Sequence, residues 1–157
     1  MPRPIRYATP ICLVLTGLAA LGIVLGFLTD EVMYPIGFLL PTVAYEAYRT
    51  EGPSTRWASW TMGALMVALV VVAAFGIEFD LRRLFGADST SVGGQTVPLG
   101  DVQVVFPAAM ALLAAMLWTR TRGIYTRWLA AVIFVTAAAI VYLTAPDSFG
   151  DVFNQVG

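Results

Sequence analysis

Apolar residues in this chain do not alternate with polar ones at the period of a strand or of a surface helix. They run in long blocks, at about 11–28, 32–48, 57–77, 102–119 and 128–145. Each block approaches the ~20 residues needed to cross the hydrocarbon core of a bilayer as a helix. Lipid offers backbone N–H and C=O groups no partners, so an isolated spanning segment must satisfy them internally, as a helix does. The pattern therefore predicts an all-α integral membrane protein, a bundle of five transmembrane helices. The second block is the weakest, because Pro35 and Pro41 interrupt it and Glu46 lies within it.

Two shorter stretches carry a different signal. Ile77, Leu81, Leu84 and Phe85 recur at helical spacing opposite Glu78 and Arg82, with Gly86 as a stop. A short amphipathic surface helix is expected near 77–86, opening an outer loop that occupies 78–101. After Pro146, the residues Phe149, Val152, Phe153 and Val156 repeat the device, predicting a second one near 147–156.

Composition agrees with the blocks. The 157 residues are 59% hydrophobic and 12% charged, whereas soluble domains carry about 25% charged residues. One transmembrane domain covering 1–157 is the natural reading. The first block is longer than the ~7–15 apolar residues of a signal-peptide core, and no small-residue cleavage motif follows it, so it is expected to be a retained span.

The nine cations are all arginine, and their positions set the expected orientation. With five crossings, Arg3, Arg6, Arg49, Arg56, Arg120, Arg122 and Arg127 fall on one side and only Arg82 and Arg83 on the other. The positive-inside bias then places the N-terminus in the cytoplasm and the C-terminus outside, in a plasma membrane. Removing the second crossing would scatter the arginines over both sides, so the charge pattern supports the weakest block. Most carboxylates, including Asp30, Glu31, Glu78, Asp80, Asp88, Asp101, Asp147 and Asp151, take the opposite side.

Little chemistry is on offer. There is no His, which removes the commonest general base and neutral metal ligand. A single cysteine, Cys12, excludes an intrachain disulfide or a Cys-x-x-Cys pair. No catalytic residue, cofactor site or metal site is expected, and neither is an enzyme. Glu46 is the strongest functional candidate, because an ionisable group inside a span is costly. It could line a cation or proton path beside the break at Pro41, with Pro35 in the first turn. Alternatively it sits among lipid headgroups and pairs with Arg49 three residues on.

Other positions read as packing or anchoring. Gly22 with Gly26, Ala64 with Ala68, and Ala111 with Ala115 offer small surfaces to neighbouring helices. Trp57, Trp60, Trp118 and Trp128 suit an interfacial belt. Two hairpins look alike: Tyr34-Pro35 with Thr55-Arg56-Trp57, and Phe106-Pro107 with Thr126-Arg127-Trp128. A parallel duplication of a two-helix unit is one reading, and ordinary boundary chemistry is the other.

The lysine-free, acidic composition resembles that of uncharacterised haloarchaeal multi-pass membrane proteins, a likeness of composition alone. The expected role is a non-enzymatic accessory or scaffold subunit of a membrane assembly. The alternative is a small oligomeric transporter or channel for protons or cations built on Glu46. Expected partners are the lipid bilayer and further copies or other membrane subunits, with no nucleic acid.

Overall fold

The computed structural model describes residues 7–49, 53–76, 102–121 and 123–146. They form five helices: α1 (Ala8–Thr29), α2 (Met33–Arg49), α3 (Pro53–Phe75), α4 (Val102–Arg120) and α5 (Ile124–Thr144). No strand occurs among the described residues. The expected surface helices near 77–86 and 147–156, and the loop 78–101, lie outside the described residues.

Four of the helices are long and apolar enough to cross a membrane: α1, α5, and the stretches Arg56–Phe75 of α3 and Gln103–Arg120 of α4. The fifth, α2, has 17 residues, a length of about 26 Å at 1.5 Å per residue. Helices α1, α3 and α5 begin three or four residues before the apolar blocks do. Polar residues such as Thr9, Arg56 and Arg127 therefore belong to the helices and not to the loops between them.

Particular contacts fix the directions of the helices. A Cβ on Gly22 would meet Phe38, and one on Gly26 would meet Pro35. Residue numbers rise along α1 as they fall along α2, so the two are antiparallel. Thr9 pairs with Tyr125 at one end, and Phe27 stacks near Tyr142 at the other, so α1 and α5 run parallel. The short connections after α2 and α4 make up-down-up-down-up the order. Neighbours in sequence pack together, α5 closes the ring against α1, and α2 also touches α5.

Helix ends are built locally. Asp30 ends α1 in the left-handed region (φ 53°), and the N–H of Glu31 reaches back to the carbonyl of Gly26 at 3.2 Å. That backbone bond closes a Schellman-type turn. Gly76, at φ 57°, follows α3. Pro41 lies inside α2 and Pro107 inside α4 without ending either helix. Packed neighbours make such prolines tolerable in a membrane bundle.

The core joins Ile36, Leu39 and Val43 of α2 to Met62, Met66 and Leu69 of α3, Met110, Ala114 and Leu117 of α4, and Ile133 and Ile140 of α5. The outside is as apolar as the inside. Leu13, Val14, Leu28, Val67, Phe75, Leu112 and Val135 are all more than half exposed. A water-soluble protein rarely shows contiguous apolar area on this scale. The apolar girdle marks the chain as membrane-embedded.

Candidate functional site

The alternating order brings the helix ends bearing Arg49, Arg56, Arg120 and Arg127 to the end of the bundle where α1 begins. Asp30 and Glu31, between α1 and α2, lie at the opposite end. Exposed Trp57, Trp60 and Trp118 stand at the arginine end. Trp128 differs from them. It turns inward, and its Nε1 donates to Thr16 Oγ1 at 2.9 Å. Thr16 in turn donates to the carbonyl of Cys12 at 2.7 Å. The tryptophans of the two similar hairpins therefore occupy different surroundings: Trp57 is exposed, and Trp128 ties α5 to α1.

Just inside this end lies a polar cluster. Glu46 is 1% exposed and faces the interior from α2, on the same stripe as Ile36, Leu39, Thr42 and Val43. The stripe arises because these residues recur at three and four positions along a 3.6-residue helix. Arg49, one turn on, places its guanidinium 4.6 Å from the centre of the Tyr125 ring. Its charge meets the negative face of the aromatic system. The Tyr125 hydroxyl is 2.8 Å from Thr9 Oγ1. Cys12, fully buried, packs with Leu15 and Leu129 and beside Tyr45, Tyr125 and Trp128, within electrostatic reach of Arg49 and Glu46.

Helices α1, α2 and α5 thus meet around a carboxylate, a guanidinium, a thiol and two phenols. Among the described residues, no group of three or more His, Cys, Asp or Glu could hold a metal ion. The cluster holds one acidic and one basic side chain, Glu46 and Arg49, so its formal charges offset.

The remaining sequence candidates are scattered. Pro35 is buried against Gly26, while Pro41 is half-buried within α2. Gly22 and Gly26 are buried where α1 meets α2. Ala64 is exposed, Ala68, Ala111 and Ala115 are half-buried, and Ala114 is the alanine of α4 that is fully enclosed. Sequence reasoning missed the part played by α5: Tyr125 and Trp128 sit in a boundary pattern that ordinarily means lipid anchoring. Nor does the sequence around Cys12 show its place in the cluster, because Tyr45, Tyr125 and Trp128 come to it from other helices. Buried Thr42, Ser59 and Thr136 went unremarked; small hydroxyls inside apolar blocks leave no trace in hydropathy.

No protein-family model, curated protein or solved structure matches the chain.

Proposed function

We propose that the chain is a five-span plasma-membrane protein, N-terminus in the cytoplasm, that serves as a non-enzymatic accessory or scaffold subunit of a membrane assembly. Two observations favour five crossings. Helix α2 runs antiparallel beside α1 from Pro35 at the acidic end to Arg49 at the arginine end. Its estimated length of about 26 Å approaches the ~30 Å hydrocarbon core. Gathering Arg49, Arg56, Arg120 and Arg127 at one end favours that end as cytoplasmic.

The observation that carries the subunit reading is the closed core. Beyond the polar cluster, Ile36, Leu39, Met66, Leu69, Ile133 and Ile140 are each no more than 2% exposed. Thr136, also buried there, spends its hydroxyl on the carbonyl of Val132. A conduction path needs hydrophilic groups along its length, whereas this cluster is bounded by apolar layers. A sealed interior favours the lipid-facing helix surfaces as the places where another subunit would bind.

A transport role is the second reading, favoured by the burial of Glu46 five residues along α2 from Pro41. Reconstitution separates the two. Vesicles containing the protein should be no leakier to protons or sodium than protein-free vesicles, and Glu46→Gln should change nothing. Flux that Glu46→Gln abolishes would replace the subunit reading with the transport one. Mass measurement after gentle extraction should find an oligomer or a co-purifying subunit, and a clean monomer would count against a scaffold.

A further inference from the structure

Five threonines in these helices treat their hydroxyls alike. Thr16, Thr29, Thr61, Thr136 and Thr144 each donate to the carbonyl four residues back, at 2.7–2.9 Å. Thr42 does not. It is 0% exposed, and its Oγ1 has no hydrogen-bond partner in the protein. A buried hydroxyl left so costs about 1–3 kcal/mol, and nearly all such groups in folded proteins are satisfied by protein or by ordered water. The hydroxyl shares the buried stripe of α2 with Glu46, one turn away. One turn further on, Arg49 Nη1 is likewise buried with no hydrogen-bond partner.

We infer that buried Thr42 and Glu46, with the half-buried Arg49 beyond them on α2, form a binding site for internal water, with one molecule bridging the Thr42 hydroxyl to the Glu46 carboxylate. The spacing fits. Side chains four apart on a helix stand about 5–6 Å apart at Cβ, too far for a threonine and a carboxylate to meet directly in every rotamer but within the reach of one bridging molecule. Water is favoured over a metal cation because Arg49, three residues on along the same helix, brings a positive charge that offsets that of the carboxylate. The water reaches the site from the arginine end. On the other side, Leu39 and Ile36 are buried in apolar surroundings and offer it no partner. Internal waters of this kind typically make about three hydrogen bonds, and the stripe supplies donors and acceptors over two turns. This site is independent of the subunit reading and would exist in a transporter equally.

Two measurements on the full chain in lipid vesicles test it. Water-edited solid-state NMR should show polarisation reaching Thr42 as fast as exposed Thr61, while Leu39 lags severalfold; a Thr42 signal as slow as Leu39 overturns the proposal. Thr42→Val keeps the shape and removes the hydroxyl. With a bridging water its unfolding midpoint falls and that of Thr42→Ser stays near wild type. If the hydroxyl is dry, Thr42→Val raises the midpoint and the proposal fails. A midpoint that changes when sodium replaces choline at equal ionic strength would assign the site to a cation and overturn the water.

Discussion

The sharpest test of the α1–α2 contact is to add one carbon to Gly22. A Cβ there would lie 2.7 Å from Phe38 Cβ and 3.2 Å from Phe38 Cγ. Carbon atoms in contact prefer about 3.5–4.0 Å, so the shortfall is about 1 Å. Phe38 Cβ is bonded directly to the backbone, and no rotamer moves it away. Gly22→Ala must therefore push α2 off α1, an overpacking cost of about 1–3 kcal/mol. Alanine also gains about 1 kcal/mol over glycine in a helix, which would mask part of the loss. Gly17 provides the control. It is in the same helix, and nothing lies within 4 Å of the Cβ that alanine would bring. The propensity gain is common to both variants, so the gap between them isolates the clash, at about 1–3 kcal/mol. Reversible unfolding in mixed micelles, with SDS as denaturant, measures it. Gly17→Ala should unfold at higher SDS fraction than wild type, and Gly22→Ala clearly below Gly17→Ala. If the two variants unfold together, the close packing of α1 on α2 is wrong.

Three further outcomes follow from the same geometry. Tyr125→Phe removes the hydroxyl contact with Thr9 but keeps the ring under Arg49, so it should cost about 0.5–1.5 kcal/mol. Tyr125→Leu also loses the cation–ring contact and should cost about 0.5–2 kcal/mol more by unfolding; equal losses would remove that contact from the account. Asp30→Gly should stabilise by up to about 1 kcal/mol, and Asp30→Val should destabilise by about 1–2 kcal/mol, because only glycine takes a left-handed backbone without penalty. Opposite shifts in melting temperature would refute the turn geometry. For sidedness, Glu31→Cys and Arg56→Cys in a Cys12→Ala background should react with an impermeant maleimide from opposite faces of right-side-out vesicles, Glu31→Cys from outside. Reaction of both from one face would mean that α2 does not cross.

The helices were legible because lipid leaves so few alternatives. A charge-free apolar run can only become a helix, and its ends need only be fixed to within a turn. The weak second block formed as a helix despite Pro41, since neighbouring helices surround the position of the break. The Gly22–Gly26 pair was also visible, because two glycines one turn apart leave a notch whatever fills it. Which residues would fill it was not visible: Phe38 and Pro35 are ordinary apolar residues until the register of α2 on α1 is known. The polar cluster was legible only as Glu46 and Arg49. Its other members, Cys12 of α1 and Tyr125 and Trp128 of α5, lie more than a hundred residues apart in the chain, and each has an unremarkable local reading. Ala64 shows the reverse failure, since small size suits a packing face but does not say which face is packed.

The cluster also explains how α2 can hold its place. A carboxylate at the centre of an isolated membrane helix costs on the order of 3 kcal/mol, and this helix is short and interrupted by proline. Facing lipid, Glu46 would favour leaving. Facing inward, it shares α2 with a guanidinium that is itself anchored over Tyr125 of α5. At the other end, Phe38 and Pro35 sit where Gly22 and Gly26 leave room on α1. One end of α2 is thus held by shape and the other by charge, on two different neighbours. Loosening either grip should expose Glu46 to a less favourable setting, so damage at Gly22 ought to be felt at Arg49, along the length of α2. The polar residues of this helix are costly alone and tolerable only in the assembled bundle, which ties its position in the membrane to the packing of α1 and α5.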